Sequence, residues 1–175
     1  MVDFLDEEMD IMNEQDQASK IFDSSIFQLP IERIGLKKVK SVESTESLSS
    51  VIAMMRDNHI GSVLVVASGK LVGIVTERDI LMKVADQVQD ASKVKIQDIM
   101  TGEPLCLRSS DMIAYAMNNM HVGGYRHIPI VDENNKPVSI ISIKDVMKFI
   151  LDYFPEQVLN MTGEPYRGPV SRDSA

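Results

Sequence analysis

Two short motifs place a hydroxyl and a carboxylate three residues apart. They read Thr76-Glu77-Arg78-Asp79 and Ser142-Ile143-Lys144-Asp145. Each motif follows a short β-branched run and opens an amphipathic segment, so each is predicted to lie at a strand-to-helix turn. A carboxylate at such a turn can accept charge-assisted hydrogen bonds from both hydroxyls of a ribose. The chemistry to consider is therefore nucleotide binding, at two related places.

The same pattern also starts a helix without any ligand. A Thr or Ser followed three residues later by an acid is a capping box. The cations Arg78 and Lys144 fit that interpretation less well, because positive charge in the first turn opposes the helix dipole by about 0.3–1 kcal/mol. A bound anion would reverse the sign of that effect. From the residues alone, capping and ligand binding both stay open.

Composition excludes several classes of protein. The chain has 175 residues, of which 44% are hydrophobic and 5% aromatic, with 12 Met and no Trp, so its core must be aliphatic. No apolar run approaches the roughly 18 residues of a membrane span. The single Cys106 and three scattered histidines give neither a disulfide framework nor metal-ligand spacing. We therefore expect a cytoplasmic protein with no metal, no membrane contact and no disulfide.

Charge is concentrated at the N-terminus. The formal net charge is −8, and residues 1–29 hold eight acids against Lys20 alone. The rest of the chain is near neutral and has no basic stripe, which argues against nucleic-acid binding. We expect residues 1–27 to form a solvated acidic leader. The alternative is a helix that docks on a partner through four apolar residues, Phe4, Ile11, Ile21 and Phe22.

The chain contains an internal repeat. An offset of 65 positions aligns Ile31 with Ile96, and one inserted residue within residues 132–135 extends the offset to 66, which aligns Asp79 with Asp145. Both copies show apolar residues at the i, i+3, i+4, i+7 spacing of one helix face. These faces comprise Leu48, Val51, Ile52 and Met55 in the first copy, and Ile113, Ala116, Met117 and Met120 in the second.

The repeat predicts an α+β fold. Strands at residues 62–67 and 128–131 follow the two helices, and second strands at 72–75 and 138–141 lead into helices at 79–84 and 145–151. Each copy is then a β-α-β-β-α unit. The copies span residues 28–84 and 94–153, with a linker at 85–93 and an extended or disordered tail at 154–175. Units this small bury little surface alone, so the two copies should pack together.

The repeated motifs resemble a tandem pair of cystathionine-β-synthase (CBS) domains, also called a Bateman module. The residues that carry the resemblance are Ile60-Gly61-Ser62-Val63, Gly73-Ile74-Val75-Thr76-Glu77-Arg78-Asp79, Tyr125-Arg126-His127-Ile128-Pro129-Ile130-Val131 and Ser139-Ile140-Ile141-Ser142-Ile143-Lys144-Asp145. The resemblance covers about residues 28–153. It implies two units packed through their sheets by a pseudo-twofold axis, with two clefts that often bind AMP, ATP or S-adenosylmethionine.

The resemblance also implies roles for individual residues. It assigns both hydroxyl–carboxylate pairs, Thr76 with Asp79 and Ser142 with Asp145, to ribose recognition. Basic residues of one copy would face the phosphate of the ligand held by the other copy. The cleft at Thr76 and Asp79 would then receive Arg126, His127 and Lys144, and the other cleft would receive Arg78. The first copy has the uncharged Gly61-Ser62 where the second has Arg126-His127, so the other cleft would lack these cations. Ser139, which replaces Gly73, can also narrow that cleft. We therefore expect the Thr76/Asp79 cleft to bind more strongly.

These inferences favour a stand-alone regulatory sensor. It would bind an adenosyl ligand, with AMP favoured, form a homodimer and act in trans on an unknown protein target. The alternative is a ligand-free interaction or oligomerisation scaffold that uses both motifs only as helix caps. An enzyme is not expected, because Ser142, Lys144 and Asp145 lack a base oriented by a third group.

Overall fold

The computed structural model describes residues 24–85 and 88–154. The strands are β1 (Ser41–Glu43), β2 (Ser62–Ala67), β3 (Lys70–Thr76), β4 (Thr101–Gly102), β5 (His127–Val131) and β6 (Pro137–Ser142). The α-helices are α1 (Leu48–Asp57), α2 (Glu77–Lys83), α3 (Ile113–Gly123) and α4 (Ile143–Tyr153). Short 3-10 helices lie at Ser24–Gln28, Ile31–Ile34 and Ile96–Asp98. Residues 1–23 of the predicted acidic leader and the tail from residue 155 lie outside the described residues. The expectation of a solvated leader up to residue 27 is wrong at its end, because Ile26 lies in the first 3-10 helix and is fully buried.

The helix faces predicted from apolar spacing are confirmed. In α1, Leu48, Val51 and Met55 are buried, and the hydroxyl oxygen of Ser47 accepts a hydrogen bond from the Ser50 amide to start the helix. In α3, the buried residues are Ile113, Ala116 and Met120. This helix ends at Gly123 and is capped by Gly124, whose φ of 66° lies in the left-handed region that favours glycine.

The sheets follow the duplication closely. In the first copy β1 pairs parallel with β2, and β2 pairs antiparallel with β3. In the second copy β5 pairs antiparallel with β6. Both hairpins shift register at the aligned positions, between Val65 and Val66 and between Ile130 and Val131. The mixed α+β architecture with two β-α-β-β-α units is therefore confirmed.

The first strand of the second copy is shorter than its counterpart in the first. Only Leu107 pairs with Ile130, as an isolated parallel bridge. The preceding segment instead forms β4, which pairs with β3 of the first copy through Gly73 and Gly102. The Met100 side chain lies over Gly73, where a Cβ would overlap the Met100 Sδ. Because glycine has no Cβ, it leaves room for this approach. The first sheet thus has four strands and the second has two.

The aligned position in the second copy is built differently. Ser139 replaces Gly73, is buried, and donates a hydrogen bond of 2.7 Å from its hydroxyl to the Lys37 carbonyl. Gly35 stands where the repeat aligns Met100, so no bulky side chain competes with Ser139 for this space. The serine hydroxyl therefore binds a backbone segment that the sequence did not lead us to expect there.

The N-terminal segments of the two copies are exchanged in space. The Ile31 amide donates to the Asp111 carbonyl at 2.8 Å, and the Ile96 amide donates to the Glu46 carbonyl at the same distance. Ile31 packs in the core of the second copy, and Ile96 packs in the core of the first. The core of each copy therefore includes a residue from the N-terminal segment of the other copy.

The two copies meet through their sheets. Leu64, Leu71 and Ile74 of the first sheet are buried in a cluster that also contains Val131 and Ile140 of the second. At one end of this contact, the Leu71 amide donates to the Asn135 carbonyl at 2.9 Å, and the Asn135 side-chain amide donates to the Leu71 carbonyl at 3.1 Å. The loop that carries the inserted residue thus binds the other copy. Within the described residues, no helix is long and apolar enough to cross a bilayer.

Candidate functional site

A cleft of about 300 Å³ opens at the C-terminal end of β3. Its volume is at the lower end of the roughly 300–1,000 Å³ found for small-molecule sites. The first copy, the β4 segment and the second copy all contribute residues. The lining comprises Gly61, Ile74, Thr76, Glu77, Arg78 and Asp79, then residues 101–105, and then Tyr125, Arg126 and His127. The packing of the two copies thus brings Arg126 and His127 to the Thr76/Asp79 motif.

Thr76 and Asp79 form a complete capping box at the start of α2. The Thr76 hydroxyl donates to Asp79 Oδ2 at 2.7 Å, and the Thr76 amide donates to the same oxygen at 2.9 Å. In return the Thr76 oxygen accepts from the Asp79 amide at 3.3 Å. The capping interpretation of this motif is therefore correct as local structure, and it leaves Oδ1 of the carboxylate facing other donors.

Two further donors occupy Asp79 Oδ1. Lys83 Nζ lies 2.8 Å from it and the Thr101 hydroxyl 3.0 Å. Burial of the Asp79 carboxyl raises its pKa, but the hydrogen bonds from Lys83, Thr76 and Thr101 outweigh burial and hold the pKa below its usual value of 3.8. The group is therefore a carboxylate at neutral pH, with donors at both oxygens.

The charges around the cleft are mixed. Arg78 donates to the Gly124 carbonyl at 3.1 Å, which ties the start of α2 to the end of α3. Arg126 is exposed at the cleft, and Glu77 and Glu103 also line it. Burial, followed by the charge of Arg126, lowers the pKa of His127 below its usual 6.5. His127 is therefore neutral at pH 7, and the fixed positive charge at the cleft comes from the two arginines.

The second motif, Ser142 with Asp145, forms the same kind of helix cap as the first, but different residues surround its carboxylate. Ser142 and Asp145 form a complete capping box at the start of α4. Asp145 Oδ1 accepts from Lys37 Nζ at 3.2 Å, and the Lys37 side chain is 81% exposed. Burial raises the pKa of Asp145, but hydrogen bonds from Ser142 and Lys37 outweigh it and lower the pKa below 3.8. This carboxylate is thus also ionised and is the more accessible of the two.

The structure brings together five of the eight residues proposed from the sequence. Those that line the cleft are Thr76, Arg78, Asp79, Arg126 and His127. Ser142 and Asp145 lie at the start of α4, outside this lining. Lys144 does not line the cleft either, although its charge helps to lower the pKa of His127.

Arg78 lies at the Thr76/Asp79 cleft, whereas the sequence led us to expect it at the other one. The reason is that its side chain turns toward the Gly124 carbonyl, on the second copy. Sequence reasoning also missed Lys83, Thr101 and Tyr125. Lys83 had a signal, because it stands four residues after Asp79 on one helix face. Thr101 and Tyr125 reach the cleft only through the packing of the two copies, so local spacing gave no indication of them.

In the part of the chain that the structure describes, no three His, Cys, Asp or Glu side chains are grouped so that they could hold a metal ion.

A comparison with protein families assigns the chain to a family. The sequence model of the CBS domain matches this chain twice, at residues 31–86 and 96–152. The chain belongs to the CBS domain family. The two matches coincide with the two copies of the repeat, so the protein carries a CBS domain pair.

Known proteins support this assignment over the same region. The CBS pair is 32% identical to the protein MK0525 of Methanopyrus kandleri over 120 residues, which is 67% of this chain and 61% of that protein. It is 29% identical to the Arabidopsis thaliana CBS domain-containing protein CBSCBSPB3, over 62% of this chain and 20% of the relative. The chain thus spans less than two thirds of the length of these relatives.

Solved structures share the fold. A CBS domain protein from Pyrobaculum aerophilum, solved in complex with AMP, superposes with a TM-score of 0.64 at 23% identity, over 71% of this chain and 97% of that one. The CBS domain pair of protein MJ0100, solved with 5′-methylthioadenosine and S-adenosyl-L-methionine, gives a TM-score of 0.62 at 23% identity, over 69% and 98%. At these identities the superpositions establish the architecture of the CBS pair.

Proposed function

We propose that this CBS pair binds an adenine nucleotide, AMP in the first place, in the Thr76/Asp79 cleft. The proposal is based on one observation: a hydroxyl–carboxylate motif and two arginines from different copies line the same cleft. Arg78 extends from the motif itself, and Arg126 reaches the same cleft from the second CBS domain. The carboxylate suits a ribose diol, and the guanidinium groups suit a phosphate. Structures of the same fold in complex with AMP and with adenosyl compounds support this choice of ligand.

The balance of charge favours a monophosphate. Arg78 and Arg126 supply two positive charges, and Glu77 and Glu103 supply negative charge along the same lining, while the charge of Asp79 is paired with that of Lys83. A triphosphate would bring its additional charge close to these acids, at a cost in Coulomb energy. AMP carries less negative charge than ATP and therefore needs fewer positive charges in its binding site. S-adenosylmethionine is the other alternative, because its cationic sulfonium suits an acidic lining.

A thermal-shift panel tests the proposal. AMP at about 100 times its dissociation constant should stabilise the protein by about 2.7 kcal/mol. For a chain of this size that corresponds to a rise in Tm of roughly 5–10 °C. ATP and S-adenosylmethionine should give smaller shifts at equal concentration, and inosine monophosphate serves as the base-specificity control. The absence of a shift with all adenosyl compounds would contradict the proposal.

Phosphate binding should depend on the protonation of His127. Because its pKa lies below 6.5, this side chain is neutral at pH 7.5 and becomes cationic as the pH falls. Protonated His127 attracts the phosphate, and the bound phosphate in turn raises the pKa of His127. Linkage gives about tenfold in affinity for each unit by which that pKa rises.

The matched control for this prediction is His127→Gln, which keeps hydrogen-bonding groups and cannot become charged. Calorimetry with AMP should give similar affinities for the two proteins at pH 7.5. The ratio of wild-type to variant affinity should increase toward pH 5.5. The ratio cancels the titration of the AMP phosphate itself, whose second pKa is about 6. A ratio that stays constant with pH would remove His127 from phosphate recognition.

A ligand-free interaction scaffold is the second candidate. One observation favours it: both motifs form complete capping boxes, and the Asp79 carboxylate already has four internal donors. A carboxylate has about four lone-pair directions, so this group requires no ligand for its own hydrogen bonding. In this case the Tm would not respond to nucleotides, and the thermal-shift panel separates the two candidates.

We further propose that the module is regulatory and acts on a protein target in trans. The Ser142 hydroxyl donates to the Asp145 carboxylate within the helix cap, and the lowered pKa of this carboxyl makes it a weak base for activating a nucleophile. Exposed apolar side chains on α2 and α4 support a homodimer. They are Leu81 and Met82, each 69% exposed, together with Met147, Leu151 and Tyr153. The single cysteine agrees with a reducing compartment such as the cytoplasm.

A further inference from the structure

Asp79 is more fully engaged by its own protein than Asp145. Its side chain is 12% exposed, and its Oδ1 accepts both from Lys83 Nζ and from the Thr101 hydroxyl. Lys83 Nζ also donates to the Ile99 carbonyl at 2.7 Å, so the lysine is held at two points. A ribose hydroxyl that approaches Asp79 Oδ1 therefore meets an oxygen whose hydrogen-bonding capacity is already taken.

This arrangement is specific to the first CBS domain. The repeat aligns Phe149 with Lys83 and Leu36 with Thr101, and neither residue can donate a side-chain hydrogen bond. Asp145 is 29% exposed, and its Oδ1 accepts from Lys37 alone among side chains of the described residues. Both aspartates form a complete capping box, so the cap does not require the extra donors at Asp79.

We infer that Lys83, supported by Thr101, is an internal competitor for the ribose hydroxyls of the ligand at Asp79. This inference rests on the proposed function and adds the residue that sets affinity at that site. When the ligand binds, Lys83 Nζ must leave Oδ1, and the Thr101 hydroxyl must share or release the same oxygen. Lys83 acts through Asp79 and is therefore a positioning residue.

The contact also connects the ligand site to the wall of the cleft. Lys83 joins Asp79 to the Ile99 carbonyl, and Thr101 begins β4 and the segment that lines the cleft up to Leu105. A ligand that displaces Thr101 from Asp79 removes a bond between α2 and this segment, and the displaced Lys83 is then held only by the Ile99 carbonyl. Binding is thereby linked to a contact between the first CBS domain and the chain leading to the second.

Lys83→Met tests this inference, because it keeps the length of the side chain and removes its charge and donors. Calorimetry should show AMP binding about three- to tenfold tighter than in the wild type, as expected for release of a partly buried ion pair. The control is Lys148→Met, which removes another i,i+4 ion pair, with Asp152 on α4, and should leave AMP affinity unchanged. The gain should disappear with 2′,3′-dideoxy-AMP, which lacks the hydroxyls that compete with Lys83.

The outcomes separate the inference from the function on which it rests. Equal or weaker AMP binding by Lys83→Met, while the wild type binds AMP, overturns the role of Lys83 alone. An equal gain for AMP and for the dideoxy analogue also overturns it, because the lysine would then oppose the ligand by a route other than the ribose. Absence of AMP binding in the wild type and in both variants overturns the proposed function and the inference together.

Discussion

Replacing Asp79 with alanine is expected to weaken AMP binding roughly 10- to 100-fold, which corresponds to the loss of charge-assisted hydrogen bonds. Asp79 is the acceptor at the centre of the proposed site, and its carboxylate accepts from both the amide and the hydroxyl of Thr76 in the cap. Because ribose must first displace Lys83, the net loss should lie toward the lower end of this range. Isothermal titration calorimetry of the two proteins measures the change directly.

Asp145→Ala is a closely matched control for this experiment. It removes the equivalent capping box from α4 and one lysine contact, so it matches Asp79→Ala in the loss of the cap, about 0.5–2 kcal/mol. AMP affinity should stay within about twofold of the wild type, because Asp145 lies outside the cleft lining. Loss of binding in Asp145→Ala with retention in Asp79→Ala would move the site to the other cleft.

Leu64→Ala is expected to lower the free energy of unfolding by about 3 kcal/mol, in line with large-to-small changes in well-packed cores. Leu64 is fully buried in the cluster where the two sheets meet. For a chain of this size the Tm should fall by roughly 6–12 °C. Urea denaturation should show a lower midpoint with an unchanged m-value.

Val122→Ala is the control for Leu64→Ala. Val122 is 76% exposed on α3, and its truncation should change stability by less than about 0.5 kcal/mol. Leu64→Ala should also weaken AMP binding, because Ile74, which packs in the same cluster, lines the cleft. A loss of stability of less than about 1 kcal/mol would show that this inter-sheet cluster contributes less than its burial indicates.

Local features of the fold were accessible from the sequence because their causes are local. The strand predicted at residues 62–67 agrees with β2, since an apolar run between a helix and a turn leaves little freedom at either end. The buried faces of α1 and α3 follow from their spacing. The repeat itself located the inserted residue in a loop, where the structure has it, and paired the two capping motifs correctly.

Features that depend on packing between the copies were not accessible. The spacing of Ile31 and Ile96 shows that they are equivalent, but it cannot show that each packs in the other domain. Likewise, β4 leaves its own copy because Gly73 gives it room, a fact that requires both strands in space. The place of Arg78 in the Thr76/Asp79 cleft was not expected for the same reason, since its acceptor, Gly124, is distant along the chain.

The candidate site divides in the same way. The Thr76 and Asp79 motif was visible as one of two copies of a pattern, and the basic pair Arg126-His127 was visible as a difference between the copies. Their union in one cleft required the pseudo-twofold packing of the CBS pair. The contact of Lys83 with Asp79 could be predicted in part, because the two residues are spaced i,i+4 on one helix. The hydrogen bond from Thr101 to Asp79 could not, because it depends on the pairing of β4 with β3.

A crystal structure of the protein grown with saturating AMP tests the central claim most directly. We predict one nucleotide in the Thr76/Asp79 cleft, with its ribose hydroxyls on Asp79 Oδ1, its phosphate near Arg78 and Arg126, and Lys83 Nζ moved away from the carboxylate. Density for AMP at Ser142 and Asp145 alone would contradict the assignment of the site. An empty cleft at saturating AMP, with Lys83 still on Asp79, would contradict the proposal of an adenine nucleotide in this cleft.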